Sequence, residues 1–348
     1  MRLKSKLTKY LFTLAFATCF LLPQSANAQN KLIDVTVSPI YFDYTNTSGE
    51  TIKDKIRIRN NTSTSLDLKF NIGKLGPTEE TGSITILDPQ PEDSYIQWLK
   101  FDSSTISARP QEWTDIPFTI TIPEDAAFGY YWAVSLEQTN SPDLNNNTAK
   151  VSGAAAIPIL LNVKKEGAKT QASIVEFKAK NFINQFLPVQ FETKIKNTGN
   201  VHIRPRGNIF ISGQGAKDIA ILEVNEGSGS ILPNLTRLFE ASWMDGFIVN
   251  EPVLEDGEVK LDDKGKPKTE LKIHWDKLTH IRYGPYTATL VMVFDDGTRD
   301  ILMESKADFW VIPYTVIGII LIILISAFLI IKFTLRSYIN SQLKKRSR

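Results

Sequence analysis

The chain has 348 residues, 42% hydrophobic and 22% charged, with a formal net charge of +2 and a single cysteine. The near-neutral total conceals an asymmetry: four basic residues precede residue 29 and six follow residue 331, so residues 29–310 hold 30 basic against 38 acidic side chains, a net of −8. Such an acidic body excludes broad attraction to nucleic acid, and one cysteine excludes an internal disulfide framework.

In chain order, the first element is an export signal. Arg2, Lys4, Lys6 and Lys9 precede the apolar run 10–22, and Ala26-Asn27-Ala28 sets small residues where a signal peptidase reads them. Residues 1–28 are therefore expected to be removed before Gln29, and Cys19 leaves with them. From residue 32 the pattern has period two, in short runs separated by Asn, Gly, Pro and Asp, which predicts strands. In the first half these are 33–41, 52–59, 65–71, 83–87, 96–101, 113–122, 130–137 and 154–163, with an Asn-rich loop around Asn145-Asn146-Asn147. A polar linker, Lys164-Lys165-Glu166-Gly167, precedes a second set at 172–178, 189–196, 203–211, 219–224, 269–275, 286–294 and 301–306. The irregular span 240–268 reads as a binding loop or an unstructured insertion.

The second half repeats the first. Ile56-Arg57-Ile58-Arg59-Asn60 matches Thr193-Lys194-Ile195-Lys196-Asn197, each a strand entering an Asn turn. Gly129 with Tyr131 matches Gly284 with Tyr286, a Tyr two residues after Gly on a late strand. Asp295-Asp296-Gly297 predicts a tight turn into the last strand.

Residues 311–331 carry no charge. At about 1.5 Å per residue they are long enough to cross a ~30 Å hydrocarbon layer as a helix. Pro313 fits the opening turn and Trp310 and Tyr314 an aromatic belt, while Gly318 and Ser326 are too far apart to make a close helix pair. Lys332, Arg336, Lys344, Lys345, Arg346 and Arg348 make a basic tail, 332–348, which belongs in the cytoplasm and leaves the bulk of the chain outside, as a single-pass type I protein of the cell membrane. The fold class is thus mainly β: two immunoglobulin-like antiparallel β-sandwiches, at 29–165 and 168–306, followed by one transmembrane α-helix.

The chemistry is sparse. His202, His274 and His280 share no catalytic or metal-binding spacing with a carboxylate, and Asp262-Asp263 and Asp295-Asp296 lack the ligand pattern of a calcium loop. Lys and Arg alternate with acids rather than massing. No catalytic, cofactor or metal site is expected, and the protein reads as a non-enzyme. Aromatic side chains are the better clue. Tyr130 and Trp132 share one face of a strand and Tyr131 the other. The match to Tyr286 would bury Tyr131, whereas apolar continuity would bury Trp132. Trp98, Tyr130, Tyr131, Trp132 and Trp243 are the candidate contacts to a ligand or partner, with core packing as the alternative for each.

Val37-Ser38-Pro39, then Tyr41-Phe42-Asp43, then Gly49-Glu50 entering a strand that ends in Asn60-Asn61, resembles the amino-terminal domain of the WxL-interacting proteins of Gram-positive bacteria. The resemblance covers residues 35–163 and the order of parts; similar parts also occur in periplasmic pilus chaperones. It implies peptidoglycan binding by the first domain and, through the second, a surface-protein partner of the WxL type. Two functions are therefore carried forward. One is a membrane-anchored surface protein that binds cell-wall polymer or another surface protein. The other is a membrane-tethered assembly chaperone that accepts a partner strand at a sheet edge, with residues 35–41 as the candidate edge.

Overall fold

The computed structural model describes residues 34–76, 85–139, 156–255 and 257–346. The expected leader 1–28, the Asn145-Asn146-Asn147 run and Arg348 lie outside the described residues.

The first sandwich runs β1 (Val35–Ser38), β2 (Phe42–Thr47), β3 (Thr51–Asn60), β4 (Leu66–Leu75), β5 (Ile86–Leu87), β6 (Leu99–Phe101), β7 (Thr105–Ala108), β8 (Trp113–Thr121), β9 (Phe128–Gln138) and β10 (Ala156–Lys164). One sheet is ordered β1-β3-β8-β6 and the other β2-β10-β9-β4-β5, with β7 also on β4. Successive side chains on a strand point to opposite faces. Ile56 and Ile58 of β3 and Phe118 and Ile120 of β8 thus meet Leu68, Trp132, Val134 and Leu136 of the facing sheet in one core.

The run 33–41 is not one strand. It breaks at Pro39, which has no amide to give to a ladder, and the chain crosses to the other sheet: β1 pairs antiparallel with β3, and β2 pairs parallel with β10. Residues 96–101 also divide, into the end of a 3-10 turn (Ser94–Trp98) and β6.

The second sandwich runs β11 (Ala172–Ala179), β12 (Ile183–Asn184), β13 (Val189–Asn197), β14 (Arg206–Gly213), β15 (Ala216–Val224), β16 (Thr236–Trp243), β17 (Ile248–Pro252), β18 (Leu254–Glu255), β19 (Glu258–Val259), β20 (Thr269–Ile273), β21 (Gly284–Asp295) and β22 (Asp300–Val311). Its sheets are β11-β13-β16 and β12-β22-β21-β14-β15. The span 240–268 is more regular than its sequence suggests: it holds the end of β16, and then β17 pairs with β20 and β18 with β19 as a projecting ribbon. The last strand runs to Val311, beyond the expected 301–306. Val311 therefore belongs to β22 rather than to the helix, and Trp310 sits opposite Ile183 and Pro285. A helix follows from Tyr314 to Arg346, and its 24-residue part Tyr314–Ser337 is long and apolar enough to cross a membrane.

The Asn repeat holds atom for atom. Asn60 is fully buried and donates to Thr64 O and Ala108 O at 2.7 and 2.9 Å, while Thr62 N donates to its Oδ1 at 2.9 Å. Asn197, equally buried, donates to Val201 O and Ile231 O, both at 2.8 Å, and accepts from Gly199 N at 2.9 Å. In each sandwich one amide satisfies backbone groups that burial would otherwise leave unpaired.

The Tyr repeat is shifted by one residue from the sequence match. Ala127 N donates to the Tyr130 hydroxyl and Tyr283 N to the Tyr286 hydroxyl, each across three residues at 3.1 Å. Tyr130, not Tyr131, is thus the counterpart of Tyr286, in the manner of the tyrosine corner of immunoglobulin-like domains.

Candidate functional site

The aromatic residues singled out in the first sandwich come together, but as packing. Trp132 is fully buried, its Nε1 donates to Tyr95 O at 3.2 Å, and its ring meets Tyr95 edge-on at 5.4 Å. Trp98, the last residue of the 3-10 turn, packs on Tyr130 at 4.4 Å beside them, both half-buried. Trp243 is likewise fully buried, against Tyr286, Phe309 and the Arg282 guanidinium. Trp132 and Trp243 are core residues and cannot reach a ligand, because inward alternation on β9 and β16 carries them between the sheets.

Tyr131 has a different position. It leaves the opposite face of β9 and lies at the junction of the two sandwiches. There Leu75, Ala133 and Leu160 on the outer face of the first domain meet Leu232 of the second, with Tyr131 and Leu235 beside them. Both faces of β9 are therefore buried, which resolves the competition between Tyr131 and Trp132. Gly129 makes room for this: a Cβ there would lie 1.8 Å from the Tyr131 hydroxyl oxygen.

A polar clamp borders the apolar contact. Asp43 of β2 accepts from His202 Nε2 at 2.9 Å and from the Arg204 guanidinium, which also stacks over Tyr41 at 4.7 Å. His202 is buried, and its ring meets Tyr131 edge-on. His274 pairs with Glu251 and His280 with Asp245, so all three histidines have carboxylate partners. These partners lie 159, 23 and 35 residues away in the chain, and so no local spacing announces them. Among the described residues, no three His, Cys, Asp or Glu side chains converge as metal ligands would.

Burial opposes charge on Asp43, but the His202 hydrogen bond and the charges of His202 and Arg204 outweigh it and hold its pKa below the ordinary 3.8. A depressed carboxylate contributes fully above its free pKa and loses that contribution as pH falls through the lowered value. The clamp should therefore be intact at neutral pH and release below pH 3.8, and Asp43→Ala should loosen it at any pH. Energy transfer between dyes on the two sandwiches reads this directly; a distance unchanged in Asp43→Ala would show that the apolar contact suffices alone.

One open seam of the second sandwich lies between β15 and β16; another lies between β11 and β22, where β12 pairs with only Trp310 and Val311. β15, nine residues long, ends its sheet, and β16, eight residues long, ends the other; the outer edge of neither has a strand partner among the described residues. The 225–235 loop between them holds the junction residues Leu232 and Leu235, so the seam starts beside the first sandwich. A groove of about 730 Å³ runs between the two strands, lined by Ile221, Leu222, Leu238, Phe239 and Ala241 and rimmed by Glu223, Glu226 and Glu240. Arg237 lies in it, its guanidinium over the Phe239 ring at 5.4 Å and its Nη1 donating to Ser230 O at 3.0 Å. Its Nε is buried with no acceptor. By contrast, the proposed edge at 35–41 shrinks to the four residues of β1.

No family model matches the sequence, and no curated protein matches it. Among solved structures the chain is similar to the class 5 fimbriae chaperone CfaA, at 12% identity and a TM-score of 0.37 over 78% of this chain and 99% of that one. It is similar also to the Pseudomonas aeruginosa CupB2 chaperone, at 8% and 0.34 over 79% and 100%, and to the E. coli chaperone DraB, at 10% and 0.33 over 79% and 97%. At these scores the likeness carries no functional information.

Proposed function

We propose that this chain is a non-enzymatic, single-pass membrane protein whose two extracytoplasmic sandwiches hold an extended segment of a partner surface protein, accepted as an added strand at the β15–β16 seam. One observation carries the reading: the open outer edges of β15 and β16 face each other across a groove in which apolar and polar side chains mix. An unpaired edge offers a row of amides and carbonyls to a passing strand, and alternate side chains of that strand can fill the groove. A carbonyl of the incoming strand would satisfy the stranded Nε of Arg237. The basic tail supports a carboxyl terminus inside the cell and both sandwiches outside. The resemblance of residues 35–163 to WxL-interacting proteins supports a surface partner of the WxL type. A photo-crosslinking residue at Leu238 in cells of the producing organism should capture a partner through an extended segment, whereas the same residue at Gln190, exposed on the inner strand β13, should not. Equal capture at both positions would count against the seam.

A second reading has its own support. Alternation along β3 sets Lys53, Lys55, Arg57 and Arg59 on the outer face of the first sandwich, opposite Thr119, Pro117, Asp115 and Trp113 of β8. Arg57 stacks over the exposed Trp113 at 5.1 Å, and Asp115 is the carboxylate bound by Lys55 and Arg57. A cationic face with an aromatic platform suits an anionic cell-wall polymer. The Lys53→Glu/Arg57→Glu protein should lose most of its retention on isolated cell wall while keeping its melting temperature; full retention would remove this reading.

A further inference from the structure

The second sandwich and the membrane helix are joined without a linker. β22 ends at Val311 and the helix begins at Tyr314, leaving Ile312 and Pro313 between them. Even these are tied down. Trp310 N donates to Phe182 O and Ile312 N to Asn184 O, both at 2.8 Å, so β12 runs alongside β22 to the membrane end. Gln185 Nε2 then donates to the Thr315 hydroxyl inside the first helical turn. On the other side, Gly284 of β21 pairs with Val311. The segment preceding it is held by Gln214 Nε2, which donates to Ile281 O and Tyr283 O at 3.1 and 3.2 Å.

This end of the domain displays apolar side chains that the described residues leave partly open to solvent. Phe182, Ile183, Ile281, Tyr283, Trp310 and Tyr314 are each between 38% and 61% exposed. Each lies within three residues of Val311 or of its ladder partners Gly284 and Asn184. The segments 181–187, 281–286 and 309–317 contain no Asp or Glu. Large exposed apolar groups gathered at one end of a soluble domain mark an interaction surface, and amphipathic aromatic rings are favoured at the headgroup level of a bilayer. Their continuity with the apolar helix selects the occupant.

We infer that the membrane-proximal end of the second sandwich is seated in the interfacial layer of the phospholipid bilayer, with this apolar collar embedded around the point where the helix enters. The inference rests on the reading of Tyr314–Ser337 as the membrane anchor. The seat fixes the sandwich on the membrane, so the seam is presented at a set height rather than swinging on a tether.

Spin labels at single cysteines in full-length Cys19→Ser protein test the seat, after reconstitution into vesicles of phosphatidylethanolamine and phosphatidylglycerol. Labels at Phe182→Cys and Tyr283→Cys should be several-fold less accessible to a water-soluble nickel chelate, and more accessible to oxygen, than a label at Ile221→Cys on the same sandwich. A label at Leu324→Cys, within the helix, reports the anchor separately. If Phe182→Cys and Tyr283→Cys match Ile221→Cys while Leu324→Cys is shielded, the anchor stands and the seat is overturned. If Leu324→Cys is itself open to the chelate, anchor and seat fall together.

Discussion

Trp132→Ala should destabilise the first sandwich by about 3–5 kcal/mol, the range for removing a large aromatic side chain from a packed core. The indole is fully buried, lies opposite Ile159 on the neighbouring strand, and donates a hydrogen bond to Tyr95 O. The substitution removes the apolar volume and leaves that carbonyl without its donor. Against a typical domain stability of about 5–15 kcal/mol this is a large fraction. Calorimetry should show the transition of the first sandwich lowered by roughly 10–20 °C, with that of the second nearly in place, since the two cores are separate clusters. A ligand-contact role for Trp132 predicts the opposite, with an unchanged melting temperature and lost binding.

Combining Ile221→Asp with Leu238→Asp should weaken partner binding by about 2 kcal/mol or more, roughly 30-fold in Kd. Both side chains line the seam, and the new carboxylates would add to a rim already formed by Glu223, Glu226 and Glu240. Ile221 is 58% exposed, so its own replacement should cost the fold no more than about 0.5 kcal/mol. Leu238 is half-buried, so the melting temperature of the double variant is read beside its affinity. Titration against the crosslinked partner, once isolated, gives the number; binding within about twofold of the unaltered protein would place the contact elsewhere.

Much of the architecture was legible where burial repeats locally. The alternation in β3 and β21, the membrane helix and the buried Asn at 60 and 197 all leave a periodic or duplicated trace. The strand β16 left little, because its two buried residues, Phe239 and Trp243, stand four apart with Glu240, Ala241 and Ser242 between them. β20 falls within the expected strand 269–275, although all five of its residues are exposed. Tyr130 and Tyr131 could not be told apart because the face holding Tyr131 is covered by another domain, whose Leu232 and His202 are remote in the chain. The seam was missed for the same reason. Whether a strand is an edge depends on which segments fail to pair with it, and no residue within β15 or β16 records that.

Amide hydrogen exchange on the full-length protein tests the central claim most directly, first purified into lipid nanodiscs and then in native membranes with its partner present. The account predicts that outward amides of β15 and β16 exchange rapidly in the purified protein, while β13, β14 and β21 are protected, and that the same outward amides become protected in native membranes. Outward amides already protected in the purified protein, or equally fast in both states, would contradict strand capture at this seam.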